Sequence, residues 1–262
     1  EAMISSARKK GVVFYSKNEV KSLQIKNKKI IKVETNKKLF DVDVVLSGAD
    51  YHHTEQNLLP PKYRNYSSKY WDKKTMSPSS LLFYIGTNKK LKNIVHHCLF
   101  FDQDFDQHAK DIYEFPQWPE EPLFYGSFSS KSDNSVSPKG CENIVLLVPI
   151  APNLKDSDSI REKYYDIIMN RLEKLTKQSI KKHVIFKKSY CINNFKKDYN
   201  SFRGNAYGLA NTLFQTAIFK PSIKNKKLRN LYYCGQLTVP GPGVPPSIIS
   251  GEVAAKEIIK DF

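Results

Sequence analysis

The 262 residues are 40% hydrophobic and 12% aromatic, enough to bury a core and too apolar for a disordered chain. The 42 basic residues outnumber the 26 acidic ones by 16, so nucleic acid and anionic membrane surfaces are the first partners to weigh. No run approaches the roughly 20 apolar residues that span a bilayer, no leader opens at Glu1-Ala2-Met3-Ile4, and the 4 isolated cysteines point to a reducing compartment without a metal framework.

In chain order, Ala2 to Lys10 reads as the tail of a helix already under way, so the sequence reads as part of a longer protein. Val12–Tyr15 is a short apolar strand. Glu19–Ile25 and Lys29–Thr35 alternate polar and apolar residues about Asn27-Lys28, a hairpin signal, and Leu39–Asp43 adds a strand to that sheet. Val44–Ser47 is an apolar run ending at Gly48, the pattern of a strand buried on both faces. Asp50 sits where a helix N-cap belongs; the helix runs toward Leu58-Leu59 and Pro60-Pro61 stops it. A second short helix is expected through Tyr63–Trp71.

Ser79–Ile85 and Ile94–Phe101 read as two strands with a turn near Asn88-Lys89, followed by a helix over Gln103–Tyr113. Pro116, Pro119 and Pro122 make an extended connector. Leu123–Ser129 and Ile144–Ile150 are further strands, and this middle region reads as an antiparallel or mixed sheet with one solvated face. Ser159-x-x-Glu162 is a capping box. Ile160, Tyr164, Ile167, Ile168, Leu172 and Leu175 then follow at helical spacing, with Arg161, Glu162, Asn170 and Glu173 outward. Val184–Tyr190 is one more strand, and Leu209–Ala217 a helix closed by Pro221.

The last stretch, Asn230 to Phe262, reads as a short buried strand (Leu231, Tyr232, Tyr233), a glycine- and proline-dense loop, and a helix. Gly235, Gly241 and Gly243 let backbone approach a ligand without a Cβ in the way. Pro245 and Pro246 stand at the helix start, whose free N–H groups and dipole suit an anionic or electron-rich ligand. A packed corner without a ligand accounts equally well for the same residues, because the loop has neither P-loop nor GxGxxG spacing.

Other chemistry is sparse. His52-His53 and His96-His97 are adjacent pairs whose rings, on a strand, point to opposite faces, and no metal-ligand spacing accompanies them. No GxSxG elbow is present, and no acid–base pair can be picked from the scattered carboxylates. The lysines come in short pairs along the whole chain, which reads as a solvated surface and as no nucleic-acid motif.

The closing stretch, Leu231-Tyr232-Tyr233-Cys234-Gly235-Gln236, Thr238-Val239-Pro240-Gly241-Pro242-Gly243-Val244-Pro245 and Ser250-Gly251-x-x-Ala254-Ala255, resembles the C-terminal signature of the carotenoid (phytoene) desaturases, a branch of the FAD-dependent amine-oxidase-like superfamily. Val44–Asp50, Leu81–Gly86, His96-His97 and Gly204-Asn205-Ala206-Tyr207 agree in order, so the resemblance spans nearly the whole chain. Family members open with a GxGxxG dinucleotide-binding unit that none of the 11 glycines here forms, so the chain resembles the C-terminal portion of a desaturase.

The resemblance implies an α/β (α+β) chain: a partial FAD/NAD(P)-binding amine-oxidase-like fold with a mixed-sheet substrate domain covered by helices. Residues 1–77 are then part of a discontinuous FAD-binding domain, 78–229 the substrate-binding domain, and 230–262 the return to the FAD-binding domain. It implies FAD as cofactor, with Val20 at the adenine, Gly235 and Gln236 near the pyrophosphate and ribityl chain, and Gly243, Val244 and Pro245 under the flavin N1/C2=O edge. Tyr207 and Phe214 are substrate-tunnel candidates, with ordinary core packing as the alternative role for each. No catalytic residue is carried over, because the family's proposed acid–base residues fall outside this chain.

The implied activity is FAD-dependent oxidation of CH–CH bonds in a long polyene hydrocarbon, phytoene toward lycopene, by a cytoplasmic, peripherally membrane-associated enzyme without metal or nucleic-acid partners; the fragment alone would be inactive. A retinol saturase-like reductase, a carotene isomerase or an apocarotenoid oxygenase shares the same corner. Outside this class stands a basic nucleic-acid-binding module, which predicts salt-sensitive DNA or RNA binding.

Overall fold

The computed structural model describes residues 1–262. It opens with α1 (Ala2–Lys9), followed by Val12–Tyr15, which pairs with no strand and stays exposed. Four apolar residues do not make a strand without a neighbour to bond to. Next come β1 (Val20–Lys26), β2 (Lys29–Thr35) and β3 (Leu39–Asp41), an antiparallel sheet in that order. Asn27 and Lys28 both have positive φ, 51° and 60°, which makes the two-residue turn that matches strand twist.

β4 (Val45–Ser47) leads into α2 (Tyr51–His53), where the Asp50 side chain accepts the His53 N–H as the N-cap pattern predicts. The helix continues with a wider turn over Thr54–Leu58 and stops before Pro60. Short α3 (Ser68–Asp72) is capped by Ser67. β5 (Ser79–Thr87), β6 (His97–Phe100), α4 (Phe105–Tyr113), β7 (Phe124–Ser127) and β8 (Glu142–Ile150) form the middle of the chain. The rest is α5 (Asp158–Thr176), β9 (Val184–Tyr190), α6 (Ile192–Tyr199), β10 (Leu231–Tyr233) and α7 (Val244–Asp261).

The large sheet runs β6-β7-β8-β5-β9 and is antiparallel throughout, one of the two forms the sequence pattern allowed. β5 and β6 are not a hairpin, because β5 lies between β8 and β9 while β6 pairs only with β7. Alternate residues Leu81, Phe83, Ile85 of β5 and Ile144, Leu146, Val148, Ile150 of β8 turn inward against Tyr164, Ile168, Met169 and Leu172 of α5. The opposite face is partly exposed, with Tyr84 at 38%. A second core gathers Ile30, Tyr51, Trp71, Met76, Leu209, Leu231 and Tyr233 around the parallel pair β4–β10. β4 has β10 as its only strand neighbour, so Leu46 is 40% exposed and the strand is not buried on both faces.

Three further local expectations give way to tertiary contacts. The α5 N-cap is Ser157, whose Oγ accepts the Ile160 N–H at 3.3 Å, two residues before the expected Ser159. Arg161 turns inward, not outward, because Asp156 takes it in two parallel bonds of 2.7 and 2.6 Å. Leu209–Ala217 is not helical. Ser77 N–H bonds Gly208 O, Ala210 N–H bonds Thr75 O, and the Gln215 carboxamide bonds both backbone groups of Thr75, so the segment is spent on Thr75–Ser77 and keeps only single turns at Leu213–Gln215 and Ala217–Phe219.

Glu142 closes the end of the large sheet as a fully buried carboxylate. It accepts from the Ser130 hydroxyl and the Leu91 N–H and pairs with Lys131 at 3.1 Å and Lys90 at 3.6 Å. Burial alone would raise its pKa, but these donors outweigh burial and hold the carboxyl below its ordinary value. Its stabilising contribution is therefore present above the ordinary glutamate pKa and lost as pH falls through the lowered folded-state value. Glu142→Ala should cost about 3 kcal/mol in urea unfolding at pH 7, the lower end for breaking a buried pair because both lysines stay part-exposed. The deficit should shrink in acid, and a constant deficit down to pH 3 would contradict the assignment.

Candidate functional site

The two parallel strands end side by side, in the register Leu231↔Val45, Tyr232↔Leu46 and Tyr233↔Ser47. Gly48–Tyr51 leaves one strand and Cys234–Leu237 the other, and both turns line a single cavity of about 560 Å³. Its remaining wall comes from the end of α6, from Asn205-Ala206 and from Ser247 of α7. Open α/β sheets bind ligands here, beyond the carboxyl ends of their parallel strands.

The cavity edge is held by short polar links. The Gly235 N–H donates to Ser250 Oγ at 2.8 Å, which in turn donates to Ser247 O at 2.7 Å. The Thr238 hydroxyl donates to Gly235 O at 2.9 Å. Asn205 Oδ1 accepts the Gly208 N–H at 2.6 Å and faces Gln236 Nε2 at 3.4 Å. A Cβ on Gly208 would lie 3.0 Å from Gln236 O, so the 205–208 turn packs directly on the 235–237 turn.

Asp50 lines the same cavity. Its carboxylate accepts the His53 N–H at 3.0 Å and the Phe202 N–H at 3.3 Å. Burial raises its pKa to about 6, against the lowering by the His53, Phe202 and His52 N–H groups. His52 stacks on Phe202 at 3.9 Å, and burial lowers it to about 4. The His96 and His97 rings stack at 4.0 Å instead of facing opposite ways, because His96 precedes β6. Their partners are the Ser132 and Tyr125 hydroxyls.

The loop into α7 departs from the sequence argument at one point. Gly241 and Gly243 have φ of 135° and 113°, and Gly243 is the helix N-cap. Ser247 N–H closes the first turn on Gly243 O at 2.9 Å. The four unpaired positions of this helix end are thus Gly243, Val244, Pro245 and Pro246, and the two prolines have no N–H to offer. The helix dipole remains, but half of the expected donors are gone.

Of the residues named from sequence, Gly235 and Gln236 line the cavity. Gly243, Val244 and Pro245 form the adjoining helix start, outside its wall. Val20 opens β1, paired with Thr35, and is no part of the cavity. Tyr207 and Phe214 are 42% and 69% exposed, so neither is core packing; Tyr207 belongs to the turn that touches Gln236, and Phe214 meets Phe219 edge-on at 5.8 Å. Sequence reasoning gave no role at this site to Asp50 beyond its cap, nor any to α6. The latter had a legible signal in Ile192, Phe195 and Tyr199 at helical spacing.

No family model matches the sequence. The chain is 35% identical over 262 residues to a carotenoid 3,4-desaturase of Haloarcula japonica, covering 100% of this chain and 53% of that protein. It is 31% identical over 230 residues to a 4,4'-diapophytoene desaturase of Staphylococcus haemolyticus, covering 84% and 46%. Against the phytoene desaturase of Fusarium fujikuroi the identity is 26%, with coverage of 100% and 50%. The chain thus spans about half the length of the curated relatives it matches. Among solved structures it is similar to an oxidoreductase from Methanosarcina mazei, at TM-score 0.61 and 12% identity over 97% of this chain and 52% of that one. A putative protoporphyrinogen oxidase from Exiguobacterium follows at TM-score 0.54 and 11% identity, over 94% and 47%. These structural likenesses bear on the fold alone, and they agree with the α/β (α+β), partial amine-oxidase-like fold that the resemblance implied.

The Asp50 carboxyl gives the site a pH signature. With the folded-state pKa at about 6 and the ordinary value at 3.8, the unfolded chain loses this proton first as pH rises. The Asp50 contribution to stability is then full below pH 3.8 and lost as pH rises through about 6. Relative to Asp50→Asn, which keeps one cap oxygen, the parent should lose about 1–2 kcal/mol over that interval in urea titrations, discounted for partial solvent access. Parallel pH profiles for the two proteins would refute the shift.

Proposed function

We propose that this chain, which belongs to the carotenoid desaturase family, forms part of an FAD-dependent oxidoreductase that desaturates a carotenoid precursor, phytoene toward lycopene. The observation that carries the reading is the meeting of the β4 and β10 turns at one cavity, beside a two-glycine loop that leads into α7. Glycine backbone, small hydroxyl side chains and Asn205 suit the close approach of a dinucleotide. The division proposed is residues 1–77 and 230–262 for the flavin side and 78–229 for the substrate side.

FAD, when bound, supplies the acceptor for the hydride formally removed from the polyene. Gly235 and Gln236 are assigned to its pyrophosphate and ribityl portion, Gly243, Val244 and Pro245 to the N1/C2=O edge, and the Val20 backbone to the adenine. What remains for this chain is to orient a hydrocarbon and exclude water. Tyr207, Leu213, Phe214, Ile218 and Phe219 expose apolar surface on the segment that abuts the 235–237 turn, and they are the proposed substrate contacts.

The charge also supports a membrane-surface location. Lysines scattered in sequence converge in the fold, where Lys28, Lys62, Lys224, Lys226, Lys227 and Arg229 surround one basic hollow. Lys224 pairs with Asp261, which joins this hollow to the end of α7, where Phe262 is exposed. Cations near anionic headgroups contribute about 1 kcal/mol each. No helix is long and apolar enough to cross a membrane, so attachment of this chain through its helices would be peripheral.

The intact gene expressed in a phytoene-accumulating host should yield lycopene, read from extracted pigments. Unchanged phytoene would turn the assignment to a sister activity of the same corner, and the 262-residue chain alone should leave phytoene unchanged. Gly243→Val puts a β-branched residue at a φ of 113°, with its Cβ 3.3 Å from Pro246 Cδ. At about 1–3 kcal/mol of strain, flavin content of the full-length enzyme should fall at least about fivefold. Parental flavin content and turnover in this variant would defeat the placement.

A further inference from the structure

Lys220 follows the single turn Ala217–Phe219, and its own backbone is extended. The residue is 6% exposed, yet its ammonium has no hydrogen-bond partner. Other buried charges in the molecule are matched: Glu142 by Lys131, Asp156 by Arg161, and Glu55 by the Asn65 and Tyr66 N–H groups and the Tyr233 hydroxyl. The Lys220 side chain lies against Gly241, where a Cβ would stand 3.3 Å from Cε and 3.4 Å from Nζ. The ammonium therefore ends beside the glycine–proline loop, two residues before the α7 N-cap.

An unpaired buried ammonium costs several kcal/mol, and burial pushes its pKa down. Such a group is stabilised when a ligand brings the opposite charge to it. The neighbouring helix end is poor in donors, since Pro245 and Pro246 remove two of its four N–H groups. We propose that Lys220 supplies the missing positive charge, compensating the negative charge that gathers on the pyrimidine edge of a flavin held over Gly241–Val244. The inference rests on the flavin reading given above. It involves no covalent step, only an ion pair that is stronger to reduced than to oxidised flavin.

The test compares Lys220→Met and Lys220→Arg in the full-length, FAD-loaded protein. Without ligand, the Met variant should melt at or above the parental temperature, because a buried unpaired charge has gone. When loaded, it should bind sulfite, which adds to the flavin ring and leaves negative charge there, at least about tenfold more weakly. Its midpoint potential should fall by about 30 mV, the two-electron equivalent of tenfold. The Arg variant should recover most of the sulfite affinity. Parental sulfite affinity and potential in a loaded Met variant would overturn the inference, and weakened FAD binding with unchanged sulfite affinity would do so by moving Lys220 to the phosphates. A ligand-free Met variant melting well below the parent would give the lysine a structural role and also overturn it. A parent that takes up no FAD at saturation would remove the flavin reading itself, an outcome distinct from the others because no loaded protein exists.

Discussion

The carboxamide of Asn230 ties together segments 200 residues apart, and the site depends on it. Its Oδ1 accepts the Ile30 N–H at 2.8 Å, and its Nδ2 donates to Ile30 O and Asp43 O, each at 2.7 Å. Its own carbonyl accepts the Val45 N–H at 2.8 Å. The residue is 1% exposed, so removing the side chain would strand the two buried backbone groups of Ile30 and take the donor from the part-buried Asp43 carbonyl. These bonds set β10 against β4 in one register, and that register delivers Gly48 and Gly235 to the same cavity. A slip of one residue would turn Tyr233 out of its stack on Tyr51, at 3.9 Å, and away from Glu55.

Local signals were enough where the local chain decides the outcome. The Asn27-Lys28 turn, the β9 strand, the Asp50 cap and the β10–loop–α7 order could all be read from residue types and spacing. They failed where a distant partner outbid the local preference. Leu209–Ala217 has helical composition, but Thr75–Ser77 takes its backbone and its glutamine. Arg161 has an outward position on the helix wheel, but Asp156 draws it in. The cavity itself was legible only in part: Gly235 and Gln236 belong to a recognisable motif, whereas the end of α6 reaches the site from elsewhere in the fold.

Charge followed the same rule. As a string, the lysine pairs look evenly spread and suggest nothing beyond solubility. In space, Lys28, Lys62 and the 224–229 segment come from three separate stretches and share one hollow. Lys220 is the opposite case: in sequence one lysine among many, in the fold a buried charge without a partner. Neither grouping is contained in composition, because both depend on which distant segments the fold brings together.

The molecule is therefore unequal in how well its costs are met. Around the large sheet, buried charges are paired and the inward faces of β5 and β8 are covered by α5. At the β10–α7 corner the opposite holds. Three residues there have the left-handed φ that favours glycine, a helix start carries two residues without N–H groups, a lysine is unpaired, and the neighbouring 207–219 segment leaves large apolar side chains in solvent. The unpaired ammonium and the exposed apolar side chains cost stability, and no hydrogen bond within the chain answers the ammonium. Natural sequences retain such concentrated local conflict where a site requires it. The clustering of these costs beside one cavity is thus an argument for a ligand at this corner that is independent of any likeness to other proteins.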